Sequence, residues 1–299
     1  MQDTLQDKKV FIQTIEADWL SLKNVQLNVL RLDEIHTVIS GNKWFKLKYY
    51  LQDALAKGYA TVTTFGGAYS NHIIATAYAC RQWGLKSIGI IRGEEPVELS
   101  YTLRTAKEYG MQLHFISRKE YKDKETLSEL FKDTYLINEG GYGIQGSMGA
   151  KEILLKCKEA DQYSHIVCAV GTGTMMAGII QSVTKKQEII GISAMKGNTE
   201  LLSKVKALLN EKDATKKFTL LHEYHFGGYA KHPAELLVFM NQTWQQHQLP
   251  TDIVYTSKTF YAVQQIIMDN TIPAGSKVLM IHSGGLQGNL SLPEGTLCF

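Results

Sequence analysis

The sequence predicts an α/β protein whose mostly parallel sheets are wrapped by helices and shared between two lobes. Three observations carry that expectation. From residue 61 onward, short apolar runs rich in Val, Ile, Leu and Phe alternate with stretches of helical period. Several of those stretches close on a glycine, as at Gly58, Gly84 and Gly110. Finally, Gly140, Gly141, Gly143, Gly146 and Gly149 interrupt the alternation near mid-chain, where either a crossover between lobes or a plain glycine-rich loop would account for them.

Taken in order, Val10 to Ile12 and Leu27 to Leu32 read as short strands ahead of a polar loop that ends at Ser40. From Lys43 to Lys57 apolar residues at Phe45, Leu47, Tyr50, Leu51, Ala54 and Leu55 form one helical face. Strands follow at Thr61 to Phe65, Ser87 to Ile91, Gln112 to Ile116 and Thr134 to Ile137, separated by helices at Ser70 to Trp83, Leu99 to Tyr109 and Lys122 to Lys132. Beyond the glycines come a helix from Ala150 to Glu159, a strand from His165 to Val170, a helix from Thr174 to Val183 and a strand from Glu188 to Ser193. A helix from Glu200 to Asn210, a strand from Phe218 to His222, helices at Ala234 to Gln246 and Thr259 to Met268, and a strand from Lys277 to Ile281 complete the chain.

Composition narrows the function classes. With 299 residues, 44% of them hydrophobic, the chain can bury one large or two ordinary cores. Its 32 basic and 29 acidic residues are intermixed and leave a net charge of +3, which gives no basic face for nucleic acid or anionic membrane. Cys80, Cys157, Cys168 and Cys298 lie far apart without metal-site spacing and read as reduced thiols. The stretch Met1 to Lys9 is polar and no apolar run reaches the length of a membrane span, so a cytoplasmic protein is expected.

Candidate chemistry gathers where strands hand over to helices, the usual ligand position in an open parallel sheet. Ser40-Gly41-Asn42 is a turn that places Lys43 at the start of a helix, where the dipole disfavours a cation unless an anionic ligand, or conversion to a neutral amine or Schiff base, compensates. Gly66-Gly67-Ala68-Tyr69-Ser70-Asn71-His72 follows a strand, with Ser70 and Asn71 suited to cap the next helix and free N–H groups suited to a carboxylate or phosphate. Gly171-Thr172-Gly173-Thr174 is the better phosphate cradle. It lacks the Gly-Lys-Ser/Thr ending of a nucleotide loop, and the next strand ends at Ala194 and Met195 where a dinucleotide site wants an acid. His282-Ser283-Gly284-Gly285 is a third turn of the same class. Pyridoxal phosphate (PLP) meets these demands together, bringing an aldehyde for Lys43 and a phosphate for the Gly171 to Thr174 loop.

With those residues in view, the chain resembles the fold-type-II PLP enzymes, tryptophan synthase β-like proteins, in the branch of 1-aminocyclopropane-1-carboxylate deaminase and D-cysteine desulfhydrase. The segments that carry the likeness are Ser40 to Tyr49, Gly66 to His72, Thr172 to Gly178, Asp252 to Tyr255 and His282 to Gly285, in family order. The resemblance implies a large PLP-binding domain of residues 1–46 and 147–299, a small α/β domain of residues 47–146, and a homodimer. It also implies that Lys43 is the Schiff-base lysine and that Lys46 reaches the phosphate with Gly171, Thr172, Gly173 and Thr174. Ser70 would transfer protons, Asn71 would bond the ring hydroxyl, and the Ser70 to His72 backbone would hold the substrate carboxylate. Tyr229 and Tyr255 correspond to the active-site tyrosines, and Thr256, His282 and Ser283 to cofactor contacts.

Thr256 stands where the deaminase-like members carry glutamate against the pyridine nitrogen and the desulfhydrase-like members carry threonine. A hydroxyl holds that nitrogen protonated less well than a carboxylate, so the ring is a weaker electron sink and β-elimination is favoured over cyclopropane opening. The leading expectation is a PLP-dependent lyase acting on D-cysteine or a similar small amino acid. A 1-aminocyclopropane-1-carboxylate deaminase is the alternative, followed by a non-catalytic PLP-binding regulatory protein. Phe45 replaces the family's arginine, and with Trp44 it leaves substrate identity open.

Overall fold

The computed structural model describes residues 10–36 and 38–299, so the stretch Met1 to Lys9 lies outside the described residues. The chain runs β1 (Ile12–Ile15), α1 (Asp18–Lys23), β2 (Gln26–Arg31), α2 (Asn42–Ala56), β3 (Thr61–Gly66), α3 (Asn71–Gln82), β4 (Lys86–Arg92), α4 (Tyr101–Glu108) and β5 (Met111–Ile116). It continues through α5 (Lys124–Leu130), β6 (Tyr135–Ile137), α6 (Ile144–Ala150), β7 (His165–Val170), α7 (Thr174–Ser182) and β8 (Glu188–Ser193). Last come α8 (Leu201–Lys206), α9 (Glu211–Ala214), β9 (Lys217–Leu221), α10 (Ala234–His247), α11 (Thr256–Met268) and β10 (Lys277–His282).

Two sheets result, with strand orders β1-β2-β10-β7-β8-β9 and β5-β4-β3-β6. Every pairing is parallel except β1 with β2. Alternate residues of the larger sheet enter different cores: Leu30, Ile166 and Ile281 pack with α7 on one face, whereas Val29, Val167 and Met280 pack with α11 on the other. Burial on both faces is why these strands read as continuous apolar runs. The smaller sheet is covered by Leu47 and Leu51 of α2 and Ala75 and Ala79 of α3 on one side, and by Tyr121 and Leu127 on another.

Four elements differ from the sequence expectation. The first strand starts at Ile12 rather than Val10 and runs to Ile15, because its pairing with β2 extends from Ile12–Leu30 to Ile15–Leu27. Helix α1 was not expected; its six residues are too few for a periodic signal, and it ends on Asn24 in a left-handed conformation. The helix expected at Ala150 to Glu159 is instead two 3-10 turns, Ile153–Lys156 and Ala160–Gln162, while the glycine cluster before it forms α6. A Cβ on Gly149 would lie 1.6 Å from the Phe45 carbonyl oxygen, and one on Gly178 of α7 would lie 2.6 Å from the Ala150 Cβ. The glycines therefore let α6 wedge between α2 and α7. The helix expected at Glu200 to Asn210 is shortened to α8, and a further short helix, α9, follows it with the Asn210 side chain as its cap at the Asp213 N–H (2.8 Å).

Two contacts position the site. The N-terminus of α2 docks on the loop after β10: Asn42 N–H donates to the Ser283 carbonyl (3.1 Å), and Gly41 (φ +69°) approaches so closely that a Cβ would sit 1.7 Å from that oxygen. The C-terminal ends of β3, β7 and β10 then open onto one cavity. Among the described residues, no helix is long and apolar enough to cross a membrane.

Candidate active site

A cavity of about 780 Å³ joins the sequence-predicted turns. Its walls include Lys43, Lys46, Ser70, Asn71, Gly171 and Ser283, together with His72, Thr172, Gly173, Tyr229 and Tyr255. Lys43, the second residue of α2, donates to its neighbour's Asn42 Oδ1 (2.9 Å). Asn42 is held in turn by a contact from its Nδ2 to Met175 Sδ (3.1 Å). Burial pulls the Lys43 amine down to about 8 against the opposing charge of Asp252.

Lys46 lies one turn on, 5% exposed, and among the described residues its ammonium has only the Gly140 carbonyl, at 3.4 Å. Burial and the nearby Lys43 charge both push its pKa well down, with Cys168 opposing. His72 feels burial and the charges of both lysines and is likewise held neutral. Its Nε2 pairs with Thr64 Oγ1 (2.9 Å), while its Nδ1 is buried without a partner. Two amines in one buried wall favour an anionic group beside them.

The turn before α3 is a working N-cap. Ser70 Oγ accepts from the N–H groups of His72 (3.3 Å) and Ile73 (3.4 Å), and the Ser70 N–H is bonded to the Gly67 carbonyl (3.0 Å). Asn71 Oδ1 is buried and unpartnered. Opposite, Gly173 has φ +89° ahead of α7, and the Thr172 and Thr174 hydroxyls pair at 3.1 Å. A Cβ on Gly171 would lie 3.1 Å from the Tyr255 hydroxyl. The Tyr229 and Tyr255 rings meet edge to face, 6.1 Å apart. Burial raises both phenols, and Tyr255, beside Tyr229, lies well above its ordinary value.

Residues 12–284 match the family of Pyridoxal-phosphate dependent enzymes. The chain belongs to that family. A putative 1-aminocyclopropane-1-carboxylate deaminase of Thermotoga maritima is 30% identical over 281 residues, covering 87% of this chain and 88% of the relative. A bifunctional D-cysteine desulfhydrase/1-aminocyclopropane-1-carboxylate deaminase of Arabidopsis thaliana, described as mitochondrial, is 29% identical over 292 residues, covering 88% and 73%. Among solved structures, that of an ACC deaminase homologue superposes with a TM-score of 0.80 at 26% identity, covering 94% of this chain and 90% of the other.

As a PLP-dependent enzyme the chain has a site that fits its cofactor. The unpartnered Asn71 oxygen offers an acceptor, Lys46 a cation, and the Gly171 to Thr174 turn a cradle of small residues. Two predicted cofactor contacts lie behind the wall instead. Thr256 is fully buried and its hydroxyl donates to Asp252 Oδ1 (2.6 Å), because Asp252 caps α11 through the N–H groups of Val254, Tyr255 and Thr256. His282, also fully buried, donates from Nε2 to the Pro250 carbonyl (2.8 Å) and sets Nδ1 3.0 Å from Asp33 Oδ1. Thr174, fully buried, touches the cradle through Thr172. Sequence reasoning passed over Asn42, Asp33, Arg92 and Lys124. Asn42 stood inside a quoted motif, whereas nothing local marks the other three.

Proposed function

We propose that this PLP-dependent enzyme is a lyase for small amino acids with a β-leaving group, with D-cysteine as the representative substrate. The observation that carries the reading is the makeup of the cavity wall. Among the described residues Glu139 is its only acid, and behind the wall the residue after Tyr255 is threonine rather than glutamate. When bound, PLP supplies the electron sink that stabilises charge at Cα. Lys43, drawn down to about 8, is partly neutral at physiological pH and serves as the base for the Cα proton. The Asn71 amide and the end of α3 orient the substrate, and the protonated Tyr229 and Tyr255 hydroxyls can donate to the departing side chain. In balance, D-cysteine and water give pyruvate, ammonia and hydrogen sulfide.

Holoenzyme assayed with D-cysteine should release pyruvate and sulfide in equal amounts, and Lys43→Ala should abolish both. No product from D-cysteine, β-substituted D-alanines or 1-aminocyclopropane-1-carboxylate would overturn the reading in favour of a binding protein. The similarity to the T. maritima relative supports ring opening as a second reading; 2-oxobutanoate forming faster from the cyclic amino acid than pyruvate from D-cysteine would establish it. A cytoplasmic location, supported by four free cysteines of which Cys80, Cys157 and Cys168 are buried, and a homodimer, supported by the family likeness alone, complete the proposal. Light scattering should give twice the chain mass of 33.6 kDa.

A further inference from the structure

The cavity has a second stretch of wall that no part of the proposed chemistry uses. Arg92, at the end of β4, and Lys124, at the start of α5, both line the cavity with Phe65 and Glu139. The Lys124 ammonium sits over the Tyr121 ring (3.1 Å to its centroid) and the Phe65 ring (4.2 Å). Its nitrogen is buried and has no hydrogen-bond acceptor. The nearest carboxylate oxygen, on Glu139, is 3.8 Å away, beyond hydrogen-bond distance. The Arg92 guanidinium shares the Tyr121 ring at 5.7 Å, and its Nη2 lies 3.6 Å from where a Cβ on Gly67 would stand. It is thus beside the turn that leads to Ser70. Among the described residues, the Arg92 guanidinium has no ion pair or hydrogen bond.

One cation with a distant carboxylate and a second with none therefore stand on a wall backed by aromatic rings. A buried ammonium without an acceptor is destabilising, and the aromatic faces offset only part of that. An anionic group between Lys124 and Arg92 would satisfy both, one as a point charge and the other through its planar fork. Burial and the Arg92 charge draw the Lys124 amine down to about 8 against Glu139, in keeping with a cation short of partners.

We propose that Lys124 and Arg92 form an anion subsite that holds the negatively charged end of the substrate's side chain. The inference rests on the lyase reading and names its substrate class, small amino acids whose β-substituent is or leaves as an anion, such as a thiolate or a phosphate. In the elimination the Cα proton passes to Lys43, the Cβ–X bond breaks, and its electron pair departs with X. The two cations stabilise X as that charge develops.

The test is the visible absorption of the holoenzyme, titrated with the D and L forms of serine and of O-phosphoserine. The phosphorylated amino acid should bind at least about tenfold tighter than serine, the factor one charge-assisted hydrogen bond provides. In Lys124→Met and in Arg92→Gln that ratio should fall to within about threefold; Arg92 is exposed, so its variant keeps the test independent of folding. Equal affinities in the wild type, or an undiminished ratio in both variants, would overturn the subsite alone. If neither amino acid moves the absorption of the wild type the subsite falls, and the same sample assayed with D-cysteine decides the lyase reading separately: pyruvate and sulfide keep it, and no product overturns it as well.

Discussion

At the scale of single residues, the site is held by buried polar groups that never reach the cavity. Lys258 is fully buried and donates to the carbonyls of His225 (2.9 Å) and Gly228 (2.8 Å). Between and beyond those carbonyls the chain turns through positive φ at Phe226, Gly227, Gly228 and Ala230, and it carries Tyr229. Replacing Lys258 with Met leaves two carbonyls without their donor, so stability should fall by about 2–3 kcal/mol in urea unfolding. Thr256→Val keeps the shape but removes a donor from Asp252, for an expected loss of about 1–3 kcal/mol. A loss under half a kcal/mol would mean that Asp252 is satisfied without the hydroxyl. At Lys43, the free amine is the reactive form, so PLP uptake by apoprotein should rise with pH around a midpoint near 8. A midpoint near 10 would show that burial leaves the amine unperturbed.

At the scale of elements, glycines set how closely helices approach. Gly149→Ala thrusts a methyl against the Phe45 backbone, which cannot yield as a side chain can, and should destabilise by more than about 3 kcal/mol. Gly84→Ala meets nothing within 4 Å and suffers only from φ +69°, so about 1 kcal/mol is expected. Chemical unfolding of the two variants side by side separates close packing from backbone strain; equal losses would refute the wedge role of α6. The five glycines of residues 140–149 were readable as a crossover or a loop, but a sequence cannot say whether small residues serve either or a tight helix contact. Only the neighbours Phe45 and Ala150, distant from or adjacent to the glycines in sequence, decide it.

For the whole molecule, acid sensitivity follows from the Arg31, Asp33 and His282 cluster, which ties β2 to β10 behind the site. Arg31 donates to Asp33 (2.5 Å from Nη2) and His282 lies on the carboxylate's other side. Burial alone would raise the Asp33 pKa, but His282 and Arg31 more than offset it and hold it well below the usual carboxylate range. Its stabilising contribution is therefore present above about pH 4 and is lost as pH falls below that. His282 has the opposite sign: burial disfavours its charge, Asp33 overcomes this, and its raised value contributes stability that is complete below about pH 6.5 and is lost as pH rises through the raised pKa. Asp33→Asn should flatten both limbs of a plot of melting temperature against pH, and an unchanged profile would remove the cluster from the account.

What the sequence by itself determined was the alternation of strands and helices, the turns where they meet, and the place of Lys43, Lys46, Ser70 and Asn71 at those turns. Those features are local: an apolar period, a glycine or a cap is written in adjacent residues. The tertiary structure alone decided that Thr256 and His282 face Asp252 and Asp33 behind the wall, and that Arg92 and Lys124 face the cavity. The contact of Thr256 with Asp252 depends on how one turn folds, the others on which strand lies beside which, and a side chain's identity does not carry the direction that packing gives it.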